Sequence, residues 1–319
     1  MRILVWHVHG SWTTSFVQGS HTYLLPCVPG RGPDGRGRAR TWDWPASAQE
    51  VAVEELEDLE VDAVLIQRPR ELVLCEQWLG RRAGVDVPIV WVEHNAPQGR
   101  VDEMRHPAAD RSDVLLVHVT RTNDLFWDAG STRTTVIEHG IPDPGPRWTG
   151  DVRAAAVVVN EPVRRGRVTG TDLLPRFGRA GPLDVMGMQV DALHELFGAP
   201  SWLRTQEGLD QRELHEQMAR RGCYLHPFRW TSLGLSLIEA MALGMPVVAL
   251  GTLEVPQAVP PGCGVVSNDV GELTDAVRHL LADPDAGAEL GAAARRHALD
   301  RYGLDRFLAD WDRVLEELS

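Results

Sequence analysis

The stretch Cys223–Leu250 most constrains the fold of this chain, because strand, loop, helix, turn and strand follow one another within it. Apolar runs at Cys223–His226 and Val247–Leu250 predict buried strands, and the segment between them predicts a helix over Leu235–Leu243. Gly244 supplies the left-handed residue that commonly ends a helix. Two strands joined in this way form a parallel pair, so the stretch predicts an α/β protein.

The loop before this helix has the features of an anion site. Ser232 is a candidate N-cap, Gly234 gives a permissive backbone, and the free N–H groups of Leu233–Leu235 would face a negative charge. Glu239 is the only charge in the otherwise apolar helix. A carboxylate one turn into the helix can accept hydrogen bonds from two ribose hydroxyls, so a nucleoside diphosphate would fit. Alternatively, Glu239 merely marks the solvent edge of the helix.

A second candidate phosphate contact lies in a glycine-containing loop that carries three arginines, Arg164, Arg165 and Arg167. The loop follows an apolar strand predicted at Ala154–Asn160, and this placement favours a diphosphate clamp. The chain contains no lysine, so any clamp must be built from arginine. The alternative is an exposed basic loop without a ligand.

The N-terminal half offers candidates at the ends of two predicted strands. Arg2–Val8 leads to His9 and Gly10, and Pro88–Val92 delivers His94 to its carboxyl end. Ligands bind beyond the carboxyl ends of the strands in open α/β sheets, so these residues lie at a predicted site rim. Packing or capping remains the alternative role for each histidine.

The run LSLIEAMALGMPVVAL resembles the donor signature of retaining glycosyltransferases with the GT-B fold, in particular family four. The resemblance implies that Glu239 binds the ribose of the nucleotide. Thr231 stands where the family has a first glutamate, which contacts the donor sugar. The loop amides of Thr231 and Ser232 would then meet that sugar.

The resemblance also extends to positions outside this run. It places Arg164 on the family's phosphate-binding arginine and Thr169 on its lysine, so Arg165 or Arg167 would supply the missing charge. His94 resembles a histidine near the donor sugar, and Gly10 lies in the first loop, where a glycine backbone approaches the donor phosphate or the acceptor.

The alternation of apolar strands and amphipathic helices predicts two Rossmann-like, doubly wound parallel-sheet domains that face a cleft. We expect an acceptor domain at residues 1–146 and a nucleotide-sugar donor domain at residues 147–303, with a linker rich in proline and glycine near Pro142–Gly150. The resemblance implies that the terminal helix, residues 304–319, packs back on the first domain.

The expected function is transfer of a sugar, of the hexosyltransferase type, from a nucleoside-diphosphate sugar to an acceptor hydroxyl, with retention and without a metal. No cofactor is expected beyond this co-substrate, and the acceptor is a small molecule, a glycan or a lipid-linked compound. Two alternatives remain. One is a sugar-nucleotide epimerase or phosphorylase of the same architecture, and the other is a degenerate, non-catalytic nucleotide-binding partner, which the loss of a glutamate at Thr231 favours.

Charge and composition limit the remaining choices. A net charge of −13 argues against nucleic acid as a partner. The four cysteines are widely spaced and predict free thiols in a reducing compartment rather than a zinc site. No stretch has the length of a membrane span, and we expect a cytoplasmic protein.

The segment Thr14–Pro45 lies between Gly10 and the predicted strand at Pro88–Val92. Its centre is rich in Gly, Pro and Arg and predicts a flexible loop or hairpin tip. Trp42 and Trp44 at its end would either form a wall for a sugar ring or anchor the hairpin. The acidic segment Ala48–Leu59 is predicted to be an amphipathic helix.

Overall fold

A computed structural model describes residues 1–318 of the chain. Its contacts divide the chain into two compact units. Unit 1 comprises Met1–Ile141 and the C-terminal segment from Leu304, and unit 2 comprises Pro142–Gly303.

Unit 1 is built on a seven-stranded sheet in which every pairing of neighbouring strands is parallel. Its strands are β1 (Arg2–Val5), β2 (Thr22–Cys27), β3 (Ala48–Ala52), β4 (Ala63–Ile66), β5 (Ile89–Glu93), β6 (Val114–His118) and β7 (Arg133–Val136), in the order β3-β2-β1-β4-β5-β6-β7. Its helices before the C-terminal segment are α1 (Gly10–Phe16), α2 (Pro69–Leu79) and α3 (Arg121–Phe126), with a 3-10 helix at Val53–Asp58.

Unit 2 repeats this design with a six-stranded parallel sheet. Its strands are β8 (Val152–Val158), β9 (Leu183–Met186), β10 (Leu203–Gln206), β11 (Arg221–His226), β12 (Val247–Leu250) and β13 (Val265–Ser267), in the order β10-β9-β8-β11-β12-β13. Its helices are α4 (Pro162–Arg165), α5 (Leu174–Phe177), α6 (Ala192–Phe197), α7 (Gln211–Ala219), α8 (Leu235–Ala242), α9 (Val255–Ala258), α10 (Val270–Ala282) and α11 (Pro284–Tyr302), with 3-10 helices at Gly166–Thr169 and Thr171–Leu173.

The central strands are buried along their whole length, as parallel sheets covered on both faces require. All residues of β4, β5 and β11 are buried. This burial explains why the sequence shows continuous apolar runs at these positions rather than alternation. The predicted fold class, with two doubly wound parallel sheets, is confirmed.

The last helix, α12 (Leu304–Glu316), is part of unit 1. Its residues Phe307, Trp311 and Leu315 are buried. The ring of Trp311 lies 5.7 Å from that of Trp12 and 5.0 Å from that of Phe16, both on α1. Aromatic packing therefore ties the end of the chain to the N-terminal helix.

The prediction of a helix at Ala48–Leu59 is wrong. Residues 48–52 form β3 at the edge of the sheet, and a 3-10 helix follows. Ala48 and Val51 are buried, and β3 pairs with β2 over five residues from Tyr23 to Cys27. A β-branched residue favours an extended strand when such a partner is present, and this partner is not visible in local sequence.

The segment between β2 and β3 is held more firmly than a flexible loop would be. Arg31 and the backbone N–H of Arg38 both bind the Glu50 carboxylate, at 2.6 and 2.9 Å. Trp44 is buried and donates from Nε1 to Thr14 at 2.8 Å, so it anchors the segment. Trp42 is half-buried beside Gly10.

Over residues 1–318, none of the helices is both long and apolar enough to cross a membrane.

Candidate functional site

The topology of unit 2 points to one place in the sheet. The strand order, counted from β8 as the first strand, is 3-2-1-4-5-6, so the winding direction reverses between β8 and β11. Ligands of doubly wound folds bind outside the carboxyl ends of the strands at this switch point. The two segments that leave these ends are the loop after Val158, with its arginines, and the loop after His226 that leads into α8.

These two loops are joined by backbone hydrogen bonds. The N–H groups of Arg229 and Trp230 donate to the carbonyl of Val168 at 2.9 and 3.1 Å. Gly170 is required at this contact, because a Cβ there would lie 2.0 Å from the carbonyl oxygen of Pro227. The structure therefore brings the arginine loop and the α8 entry loop together.

Helix α8 begins at Leu235, as predicted, but its N-cap is not the predicted residue. Its N-cap is Gly234, which makes no side-chain cap, whereas Ser232 lies two residues earlier and is buried. The Ser232 N-cap prediction is therefore wrong. A Cβ on Gly234 would lie 2.6 Å from Cε1 of His226, so the close approach of this imidazole explains the glycine. The first turn of α8, from Leu235, presents its N–H groups at the same edge of the sheet.

Glu239 is buried, with 5% of its surface exposed. Its Oε1 accepts a hydrogen bond from Nε2 of Gln211 at 2.9 Å, and its Oε2 lies 3.6 Å from Nε2 of His215. Both partners belong to α7. The alternative that Glu239 marks the solvent edge of its helix is therefore wrong.

The three arginines of the loop differ in their surroundings. Arg164 is exposed and donates from Nε to Glu161 at 2.9 Å, and Arg167 is exposed and pairs with Asp172 at 2.9 Å. Arg165 is half-buried and forms no ion pair within the described part of the chain. Burial lowers the pKa of Arg165, and Arg164 beside it adds to this effect. Of the three, Arg165 is the one whose guanidinium makes no hydrogen bond or ion pair to another residue of the described part of the chain.

A buried polar chain lies beneath the α8 entry loop. The hydroxyl of Tyr224 is 2.8 Å from that of Ser236 and 3.4 Å from Nδ1 of His226. Nε2 of His226 has no hydrogen-bond partner among residues 1–318. Sequence reasoning missed His226; the available signal was an imidazole at the end of an otherwise apolar strand.

In unit 1, the order β3-β2-β1-β4 matches the order β10-β9-β8-β11 of unit 2. The winding direction therefore reverses between β1 and β4, and the switch point lies there. Beyond β1, Gly10 begins α1. The rings of His9 and His94 are 4.1 Å apart, that of His139 is 6.5 Å from His94, and that of Trp12 is 5.1 Å from His94. The sequence placed His9 and His94 at the site rim, and the structure adds His139 to them.

Burial controls the charge of these imidazoles. It lowers the pKa of His9 to about 4 and that of His139 to about 3, and it lowers the pKa of His94 well below the usual value. The three side chains are therefore neutral near pH 7, and each ring can donate one hydrogen bond and accept another. Neutral imidazoles suit sugar hydroxyls better than phosphates.

The turn that carries His94 is fixed by the residue before it. Glu93 is buried, and its Oε1 accepts from the backbone N–H of Asn95 at 2.7 Å. Its Oε2 lies 3.0 Å from Nε2 of His106, whose Nδ1 accepts from the N–H of Ala108 at 3.0 Å. Because Nδ1 of His106 accepts a hydrogen bond, the ring proton is on Nε2 and points at Glu93.

Among the described residues, no group of three or more His, Cys, Asp or Glu side chains is arranged to hold a metal ion.

Comparison with solved structures assigns the fold. HepE of Anabaena, solved with UDP and glucose, superposes with a TM-score of 0.73 at 15% identity, over 99% of this chain and 100% of that one. Sucrose-phosphate synthase of Thermosynechococcus elongatus gives a TM-score of 0.74 at 14% identity, over 100% of this chain and 99% of that one. The chain has the GT-B fold.

The sequence comparisons refine this class. The family model described as Glycosyl transferases group 1 matches residues 187–283. The D-inositol 3-phosphate glycosyltransferase of Streptomyces avermitilis is 28% identical over 223 residues, which cover 64% of this chain and 47% of that protein. A GDP-mannose-dependent mannosyltransferase of Mycolicibacterium smegmatis, which acts on phosphatidylinositol monomannoside, is 35% identical over 105 residues, which cover 30% of this chain and 28% of that protein.

The chain spans about half the length of the first of these curated relatives. The predicted resemblance to GT-B glycosyltransferases of family four is confirmed.

Proposed function

We propose that this protein transfers a sugar from a nucleoside-diphosphate sugar to an acceptor hydroxyl, as a retaining, metal-independent hexosyltransferase. The observation that carries the proposal is the convergence, at the switch point of unit 2, of the arginine loop, the entry to α8 and the helix that holds Glu239. The similarity to a GDP-mannose-dependent mannosyltransferase supports it.

Each part of this site has a role that follows from its chemistry. The diphosphate binds the N–H groups of Leu233–Leu235 and the guanidinium groups of Arg164 and Arg165. Glu239 accepts hydrogen bonds from the ribose hydroxyls. The loop at Thr231 and Ser232 meets the donor sugar.

In unit 1, His94 and the backbone at Gly10 contribute polar contacts. His94 is neutral and is held by the turn at Glu93. We assign it to a sugar hydroxyl rather than to proton transfer, because its lowered pKa makes it a weak base.

The chemical step requires stabilisation of charge on the leaving group. As the glycosidic bond to the diphosphate breaks, the sugar becomes oxocarbenium-like and negative charge grows on the departing phosphate oxygen. Arg165 and the first turn of α8 present fixed positive charge and dipoles to that oxygen, which lowers the barrier without a cation.

A product assay tests the proposal against its alternatives. UDP-, GDP- and ADP-sugars are incubated with the protein, with and without pooled inositol phosphate, glycan and lipid-linked acceptors. Glycosylated product that forms only with an acceptor is the expected result. Epimerised nucleotide sugar or phosphate-dependent release of sugar phosphate would instead identify an epimerase or a phosphorylase. Nucleotide binding without turnover would identify a non-catalytic partner, which Thr231 favours.

A further inference from the structure

The buried carboxylate of Glu239 does not stand alone, and its neighbours on α7 have no role so far. Nε2 of Gln211 lies 2.9 Å from Oε1 of Glu239 and 2.7 Å from Nε2 of His215. We propose that Gln211 and His215 are positioning residues that orient Glu239 so that its second oxygen faces the ribose. This inference rests on the proposed function, because it assumes that a ribose binds at Glu239.

The contacts of the Gln211 amide determine which atoms carry the protons. The amide nitrogen of Gln211 carries two hydrogens and no lone pair for accepting, so it donates to both Glu239 and His215. Nε2 of His215 is therefore an acceptor, and the ring carries its proton on Nδ1. The reversed amide would place its oxygen against the Glu239 carboxylate, which is repulsive.

This arrangement uses only one carboxylate oxygen of Glu239. Oε1 is held by Gln211, whereas Oε2 lies 3.6 Å from an imidazole nitrogen that has no proton to give. The carboxylate is thus fixed in orientation while Oε2 keeps its lone pairs. A pair of ribose hydroxyls can donate to Oε2 and to the remaining lone pair of Oε1.

The local sequence makes α7 a rigid support for the pair. Gln211 and His215 are four residues apart, so they lie on the same face of the helix. The helix starts with a capping box in which Asp210 accepts from the N–H of Glu213 at 2.8 Å and Glu213 accepts from the N–H of Asp210 at 2.9 Å. Gln211 is the first residue after this cap, where fraying is suppressed.

The test compares ribose with 2′-deoxyribose. Calorimetry measures the affinity of UDP, GDP and ADP and of their 2′-deoxy counterparts for the wild type, and the base that binds is then used for the variants Gln211→Leu and His215→Leu. We expect the wild type to prefer the ribonucleotide by about tenfold, the value for a hydrogen bond to a charged group. Gln211→Leu should reduce this preference to about threefold or less, and His215→Leu should reduce it partly.

The ratio of affinities is the readout, because a merely structural defect weakens both ligands alike. Gln257→Leu, an exposed glutamine on α9, is the matched control and should keep the wild-type ratio. If the wild type binds no nucleotide or does not distinguish the two sugars, the proposed ribose site fails. If the wild type discriminates and Gln211→Leu does so equally, the positioning role alone is overturned, and an unchanged ratio in His215→Leu removes His215 from it.

Discussion

At the scale of single residues, the buried imidazoles are the most unusual feature of the chain. His139 and His226 are buried and His94 is half-buried, and their respective Nδ1, Nε2 and Nε2 atoms are buried without a hydrogen-bond partner among residues 1–318. A buried, unsatisfied polar atom costs stability and is retained where it is used. Their neutral state fits polar contacts to sugars, and it makes the stability of the protein depend on pH.

The sign of this dependence follows from the direction of the shifts. The pKa of His139 falls from 6.5 to about 3 on folding, so between these values the unfolded chain binds a proton that the native state excludes. The free energy of unfolding therefore decreases as the pH falls below 6.5. Each such histidine lowers the free energy of unfolding by up to about 1.4 kcal/mol for each pH unit below 6.5.

His139→Gln tests this account. Urea unfolding between pH 6.5 and about pH 5, above most carboxylate titrations, should show a shallower loss of stability for the variant than for the wild type, because one excluded proton is removed. His279→Gln, at an exposed position on α10, is the control and should follow the wild type. An equal slope in His139→Gln would contradict the buried, neutral assignment.

Sequence reasoning found one residue of the cluster around Glu239 and missed the others for a physical reason. Glu239 was detectable because one charge in an apolar helix is conspicuous. Gln211 and His215 lie on another helix, in a polar segment where nothing distinguishes them. Only the packing of α7 against α8 brings them to the carboxylate.

At the scale of elements, α8 was visible in the local sequence, whereas the N-terminal strands β2 and β3 were not. Helix α8 and its flanking strands were predicted because glycine and proline mark the end of the helix and most of their residues are apolar. Strand β2 contains Pro26, and β3 is followed by an acidic run, so neither has a clear local pattern. Their pairing with the sheet decides their structure.

The attachment of α12 to unit 1 also depends on close packing. A Cβ on Gly140 would lie 2.1 Å from Cβ of Phe307, so helix and loop touch with no room for a methyl group. Gly140→Ala should force α12 away from its place and lower the free energy of unfolding by about 1–3 kcal/mol. Denaturant unfolding measures the loss, and hydrogen exchange of the α12 amides should rise.

Gly32→Ala is the matched control for this variant, because nothing lies within 4 Å of the added methyl. It should change stability by less than about 0.5 kcal/mol. If Gly140→Ala unfolds and exchanges like the wild type, the close packing of α12 on the loop is wrong.

At the scale of the whole molecule, the chain uses one design twice. Each unit is a doubly wound sheet with a switch point at its centre, and each switch point holds the polar side chains that the local sequence singled out. In unit 1 these are neutral imidazoles, and in unit 2 they are arginines, a helix N-terminus and a carboxylate. The net charge of the chain is −13, so binding of a diphosphate must rely on this local concentration of donors in unit 2.

Whether Glu239 holds a nucleotide is tested by the affinity of nucleoside diphosphates, measured by calorimetry for the wild type, Glu239→Ala and the control Glu289→Ala. Glu289 is an exposed residue of α11, so its loss changes the charge equally without touching the site. The account predicts that Glu239→Ala weakens binding by at least about tenfold while Glu289→Ala binds like the wild type. Equal affinities for all three proteins, with the variants folded by circular dichroism, would show that Glu239 does not hold the nucleotide.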